Sequence, residues 1–350
     1  MTDSFSDNFG ADTSDDLPMT RIGVIGGGAW GTALAAAAAR AGRRVTLWAR
    51  EADVIADINT RHENRSFLPG VILPSAVTAT DDPTQACDAD AILLVAPAQF
   101  MRATAARLSR HWPTGVPAVI CAKGIEQGSG ALMSEAVGEA LPQAPLAVLS
   151  GPTFAGEAAR GLPLAVTLAC RDAALGTKLV AALGSQRLRP YLSDDLVGAQ
   201  IGGAVKNVMA IASGIVSGRG LGENARAALI TRGLHEIVRL GTALGGRMET
   251  LMGLSGVGDL MLTCMSAKSR NYSVGFALGE GQDLASALGG KSSVAEGVFS
   301  APAVVALAKR HGVDMPICFA VDAVLHSGND IDTAIDGLLA RPFTAEYSGR

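Results

Sequence analysis

Lys206 lies in Ile201-Gly202-Gly203-Ala204-Val205-Lys206-Asn207-Val208-Met209-Ala210, with Gly202, Gly203, Met209 and Ala210 three and four positions away. At helical spacing these neighbours share its face, so the ammonium is set among apolar or side-chain-free positions. Such a lysine either snorkels to water or loses its hydration, which lowers its pKa from about 10.4. A lysine at about 7–8 can take up and return a proton near neutrality. Asp259, in Leu254-Ser255-Gly256-Val257-Gly258-Asp259-Leu260, follows flexible glycines and precedes an apolar helix. It could orient Lys206 and hold its charged form, with Thr263 on the same helical face. It also reads as an ordinary first-turn acid favoured by the helix dipole.

Other candidates are polar residues at loop positions. Ser269-Arg270-Asn271 sets planar guanidinium donors beside neutral ones, a set suited to phosphate or carboxylate and equally to a solvated loop. Lys123, in Ala122-Lys123-Gly124, and Ser150-Gly151-Pro152-Thr153 both follow expected strands. Both could line a site, and both could be simple turns. Val294-Ala295-Glu296-Gly297 is uninformative by itself. None of the five histidines has ligand spacing, so the sequence supports no metal site.

The remaining chemistry belongs to backbone. Ile22-Gly23-Val24-Ile25 runs into Gly26-x-Gly28-x-x-Gly31 and then an Ala-rich helix, the order of a dinucleotide-binding turn. Gly26 permits the tight turn, Gly28 admits a pyrophosphate to backbone amides, and Gly31 lets helix and strand pack closely. The helix N-terminus adds free N–H groups and partial positive charge. The next strand ends in Trp48-Ala49-Arg50-Glu51, where an NAD-specific site usually carries an acid about 20 residues past the glycines. Arg50 suits a 2′-phosphate, favouring NADP(H); Glu51 leaves NAD(H) open.

These residues need a scaffold, and the chain is long enough for two ordinary domains at 350 residues. Expected strands are 21–25, 44–48, 76–79, 91–95, 118–122, 146–149, 165–169 and 188–192. Most are continuous apolar runs, as in strands buried on both faces. Alternation with helices implies an α/β Rossmann-type, doubly wound, mainly parallel sheet. Ser193-Asp194-Asp195 then reads as a helix N-cap with acidic first-turn residues. Helical patterns follow to Ser217 and over 224–244, 250–266, 274–279, 284–288, 301–311, 316–326 and 331–340, an all-α domain. The expected division is a disordered tail at 1–19, a dinucleotide-binding domain at 20–192, a helical substrate domain at 193–340 and a C-terminal tail at 341–350.

A net charge of −4 and no basic tract argue against nucleic-acid binding. Five scattered cysteines without a CxxC pair suit a reduced, cytoplasmic protein. The acidic N-terminal segment lacks a secretory core, and no apolar stretch approaches the roughly 18 residues of a membrane span. The apolar helical half could support a homodimer.

In order along the chain, Gly26–Leu34, Ala122-Lys123-Gly124, SGPTFA at 150–155, GGAVKN at 202–207, Asn224-Ala225-Arg226 with Thr231-Arg232-Gly233, GxGDLxLTC at 256–264, Ser269-Arg270-Asn271 and Val294–Gly297 resemble the bacterial type of NAD(P)-dependent glycerol-3-phosphate dehydrogenase. The resemblance runs from Arg21 to about Leu339. It implies interconversion of sn-glycerol 3-phosphate and dihydroxyacetone phosphate, with NADP(H) or NAD(H) and a small-molecule substrate as partners. It implies Lys206 as proton acceptor and donor, with Lys123 and Asp259 completing the catalytic set. Substrate contacts would come from Lys123, Gly151, Thr153, Lys206, Asp259, Ser269, Arg270 and Asn271. Coenzyme contacts would come from Gly26, Gly28, Ala29, Trp30, Gly31, Arg50, Lys123, Ala155, Arg270, Val294 and Glu296. Where the family's turn often has Ser, this chain has Ala29, losing one hydroxyl. Two further readings fit the domain pattern: another two-domain reductase, of β-hydroxyacid or ketopantoate type, and a noncatalytic NADP-binding sensor.

Overall fold

Short apolar runs become the middle of a sheet covered on both faces. The computed structural model describes residues 18–289, 295–343 and 345–346; residues 1–17, 344 and 347–350 of the expected tails, and Val294, lie outside them. Among the described residues ten strands form: β1 Arg21–Ile25, β2 Arg44–Trp48, β3 Glu63–Asn64, β4 Leu68–Ile72, β5 Val77–Thr80, β6 Ala91–Leu94, β7 Ala118–Ile120, β8 Leu146–Ser150, β9 Leu164–Cys170 and β10 Leu188–Ser193. Eight build one sheet in the order β10-β9-β8-β7-β6-β1-β2-β5. All its neighbours are parallel except β8 and β9. Val24 of β1 lies opposite Leu47 on one side and Leu93 on the other. The strand order therefore diverges on either side of β1, and an α/β sheet binds ligands beyond the strand ends at such a switch point.

Alternate residues feed two cores. Ile22 and Val24 join Leu47 and Leu93 on one face; Ile25 joins Ile92, Leu94 and Ile120 on the other. With both faces covered, polar alternation is lost. The small hairpin β3–β4 was not expected, because two polar residues carry no strand pattern. Helix Ala29–Arg40 begins inside the glycine turn, ahead of Gly31, and its buried alanines pack on the sheet.

Beyond β10 the chain is helical. Helix Leu196–Gly218 is the shaft of this half, buried from Gly198 to Val216. It is long and apolar enough to cross a membrane, contrary to the sequence reading, but 89% of its apolar window is buried inside the protein. Its start also differs from expectation. Ser193 closes β10, and Asp195 is the cap, accepting from Gly198 N at 2.8 Å and from Arg247 N at 2.8 Å. Helix Arg270–Gly279 crosses the shaft where glycines face each other. A Cβ on Gly214 would sit 2.1 Å from Tyr272 O, and one on Gly275 would sit 2.0 Å from Ile211 O.

The helix expected over 250–266 is broken. Met248–Leu251 and Asp259–Cys264 are helical, joined by a π turn at Leu254–Gly258. Glycine permits the break: a Cβ on Gly256 would fall 1.7 Å from Leu251 O. Two other helices start earlier than expected, Arg270–Gly279 and Glu296–Arg310. This matters because both N-termini bear candidate site residues.

Candidate active site

The shaft helix meets the sheet at its glycines. A Cβ on Gly202 would lie 2.3 Å from Ser255 O of the π turn, and one on Gly203 2.9 Å from Ser150 Oγ and 3.3 Å from Lys123 Cγ. Side-chain-free positions thus bring Lys206 to the π turn and the strand ends. Asp259, wholly buried, receives two ammonium groups: Lys206 Nζ at 2.6 Å on Oδ1 and Lys123 Nζ at 2.6 Å on Oδ2. Lys206 also donates to Thr263 Oγ1 at 2.9 Å, and Lys123 to the Gly151 carbonyl at 2.8 Å. The Thr153 hydroxyl reaches that carbonyl at 3.3 Å. Ser150 Oγ, buried over Gly203, has no partner among the described residues.

Burial pushes the Lys206 ammonium down from its ordinary value to about 8; Asp259 opposes the shift and Lys123 adds to it. One carboxylate between two cations is a net positive pocket. A buried lysine at that value exists in both protonation states near neutral pH. The arrangement suits proton exchange with a ligand oxygen and attraction of an anion.

Ser269 accepts from Tyr272 N at 3.3 Å and caps the helix beginning at Arg270. The Asn271 carboxamide links two elements, donating to Asn207 Oδ1 at 2.9 Å and accepting from Gly297 N at 2.9 Å. That bond ties the N-termini of the Arg270 and Glu296 helices together beside Lys206. Arg270 itself is exposed. Burial raises the Glu296 carboxyl, while Lys206, Arg270 and Lys123 pull it down. Glu296 thus feels all three cations of the site. Lys268 pairs with Glu157 at 2.7 Å, fastening the loop before Ser269 to helix Ala155–Ala159.

The glycine turn sits at the end of β1. Gly26 has φ +128°, a conformation that favours glycine. A Cβ on Gly31 would meet Gly26 O at 1.9 Å, whereas one on Gly28 would meet nothing within 4 Å. The open face is therefore at Gly28, the N-cap of helix Ala29–Arg40. Trp30 Nε1 is buried there without a partner among the described residues. Ala29, Trp30 and Ala155 pack on a small cluster with Leu68 and Val71. Arg50, just past β2, is 74% exposed and 3.6 Å from Glu51. An open cradle, a helix N-terminus and an unpaired donor fit a pyrophosphate-bearing coenzyme.

The structure thus joins Lys206, Lys123, Asp259, Gly151 and Thr153 directly. Asn271 and Glu296 stand next to them. Ser269 serves its own helix, and Arg50 lies out at the nucleotide end. Sequence reasoning did not place Thr263 on Lys206, although its four-residue spacing from Asp259 was the available signal. It also missed Asn207 and Asn64; the second is buried and donates to Gly27 O at 2.8 Å.

Comparisons with known proteins identify the family. The model described as the N-terminus of NAD-dependent glycerol-3-phosphate dehydrogenase matches residues 21–176, and that of its C-terminus matches residues 195–336. The chain is 61% identical over 326 residues to glycerol-3-phosphate dehydrogenase [NAD(P)+] of Rhodospirillum rubrum, covering 93% of each chain. It is 55% identical over 330 residues to the protein of that name from Parvibaculum lavamentivorans, covering 94% of this chain and 99% of the relative. The crystal structure of glycerol-3-phosphate dehydrogenase from Coxiella burnetii superposes with a TM-score of 0.88 at 40% identity, covering 92% of this chain and 99% of that one.

Proposed function

The chain belongs to the NAD-dependent glycerol-3-phosphate dehydrogenase family, and from that membership we infer its reaction. It reversibly reduces dihydroxyacetone phosphate to sn-glycerol 3-phosphate with NAD(P)H, an oxidoreductase activity that supplies glycerophospholipid synthesis. The observation that carries the residue assignment is Lys206, buried and held between Asp259 and Thr263.

When bound, the nicotinamide coenzyme supplies the hydride chemistry at C2. Lys206 handles the proton at the C2 oxygen. An ammonium has three donors, and Asp259 and Thr263 engage two of them, leaving the third for a substrate oxygen. In the neutral amine the same two partners hold both N–H groups, so the lone pair takes the vacated direction. The group therefore accepts the proton in oxidation and returns it in reduction without turning. Such transfer contributes about 10²–10⁴ in rate. Asp259 orients Lys206 and steadies its charge.

Lys123, Gly151 and Thr153 border the triose. Arg270, with Ser269 and Asn271 at the same helix N-terminus, takes the phosphate, and that binding energy orients C2. The Asn271 carboxamide is already engaged by Asn207 and Gly297, so it contributes chiefly by holding the helix start in place. Gly26, Gly28, Ala29, Trp30, Gly31, Arg50, Lys123, Ala155, Arg270 and Glu296 would hold the coenzyme. Arg50, exposed just past β2, would favour NADP(H). Five buried, unpaired cysteines are consistent with the cytoplasm. Exposed Leu221, Met248 and Met252 on the helical half support a homodimer, which sedimentation would check.

The test is a substrate panel followed by reduced-nicotinamide absorbance. Dihydroxyacetone phosphate is consumed and α-keto acids are not. Lys206→Ala loses turnover while binding coenzyme normally. Activity on a carboxylate substrate alone, or undiminished turnover of the variant, overturns the reading.

A further inference from the structure

We propose that Asn64 is the positioning residue that aims the Gly28 amide at the coenzyme's pyrophosphate; this rests on the dinucleotide reading of the glycine turn. Gly27 and Gly28 lack Cβ atoms, so the peptide between them rotates at low cost. Something must hold it if its N–H is to be preorganised. Asn64 does so from β3. Its side chain is fully buried, and Nδ2 donates to Gly27 O at 2.8 Å and to Thr32 Oγ1 at 2.8 Å. Its Oδ1 accepts from Phe67 N at 3.1 Å. Thr32 Oγ1 adds a longer contact of 3.4 Å to the same Gly27 carbonyl.

In a trans peptide the carbonyl and the following N–H point in opposite directions. Drawing the Gly27 carbonyl toward Asn64 therefore turns the Gly28 N–H away from Asn64, and the approach to Gly28 is open, since a Cβ there would meet nothing within 4 Å. The position requires two donors and one acceptor on a short side chain, which asparagine supplies and aspartate does not. The hairpin has a role on this account. Leu68 and Val71 of β4 pack with Ala33, Ala158 and Ala159, so Asn64 is carried on a fixed element beside the coenzyme helix.

The experiment measures dissociation constants of ADP-ribose and adenosine for the wild type, Asn64→Ala and Asn64→Asp, with steady-state kinetics beside them. Losing hydrogen bonds of this kind weakens ADP-ribose, and raises KM for NADPH, about tenfold. Adenosine affinity, kcat at saturating coenzyme and KM for dihydroxyacetone phosphate stay within about twofold of wild type, because one peptide's orientation touches only the pyrophosphate contact. Asn64→Asp keeps the side-chain shape and the Phe67 bond, and carries the test if Asn64→Ala does not fold. Unchanged ADP-ribose affinity, or equal loss of adenosine and ADP-ribose, overturns the assignment. Failure of the wild type to bind ADP-ribose overturns instead the dinucleotide reading beneath it.

Discussion

Replacing Asp259 by Asn tests the electrostatics of the site with almost no change of shape. The carboxylate stands 2.6 Å from Lys206 Nζ and 2.6 Å from Lys123 Nζ, with no exposure to solvent. At an effective dielectric constant of about 20, one such pair is worth about 6 kcal/mol, or more than four pKa units. Water entry and relaxation absorb much of that, so about one unit is the smallest shift the arrangement allows. Lys206, pushed by burial to about 8 in the native site, then falls to about 7 or lower. The assay is the pH dependence of kcat/KM in both directions. With Lys206 as the proposed proton acceptor, oxidation needs its neutral form, so the acid limb moves to lower pH in Asp259→Asn. Reduction needs the ammonium, so its alkaline fall begins earlier and the rate at neutral pH drops. The variant also leaves two ammonium groups without their shared counter-ion, at a stability cost of up to about 3–5 kcal/mol. Limbs that stay where they are in the wild type would refute the coupling of Asp259 to Lys206.

Three other outcomes are expected. Gly202→Ala places a Cβ 2.3 Å from Ser255 O, so the shaft is pushed off the π turn; denaturant unfolding should show a loss of about 1–3 kcal/mol together with a lower kcat. Arg50→Ala should raise KM for NADPH about tenfold or more while moving KM for NADH little, since Arg50 is proposed as a charge-assisted partner of the 2′-phosphate alone. Glu236, buried and accepting from Ile317 N at 2.7 Å and Cys318 N at 3.1 Å, is pushed by burial up to about 7. Because its folded value lies above the unfolded one near 4.3, its stabilising contribution is complete below about pH 4.3 and is lost as pH rises through about 7. The Tm difference between wild type and Glu236→Gln should therefore shrink on going from about pH 5 to about pH 8.

What could be read from the chain was local. The glycine turn and the apolar strands carry their own patterns, and each expected strand of the sheet forms within two residues of its expected bounds. Lys206 stood out because helical spacing alone shows a charge on a dry face. Its link to Asp259 was a guess from residue type across 53 positions, and the structure makes it a 2.6 Å contact. The Lys123 contact to the same carboxylate spans 136 positions, and no local periodicity reports it. The break at Leu254–Gly258 was hidden because apolar residues on either side continue one helical rhythm, while the tight fit of Gly256 against Leu251 is a tertiary fact. Ser269 also caps its own helix, a use that sequence cannot separate from ligand contact because the same hydroxyl geometry serves both. Asn64 was invisible, because a two-residue strand leaves no signal and the two acceptors of its amide group lie 32 and 37 positions away.

If the Lys206 amine carries the proton at the C2 oxygen, as proposed, a small amine supplied from solution should replace it. Lys206→Ala, shown to bind NADPH as the wild type does, is assayed with a series of small primary amines. Turnover of dihydroxyacetone phosphate should return in proportion to amine concentration, with a rate that depends on the amine's pKa. Wild-type turnover by the variant without any amine would contradict the claim, as would an impaired variant that no amine restores.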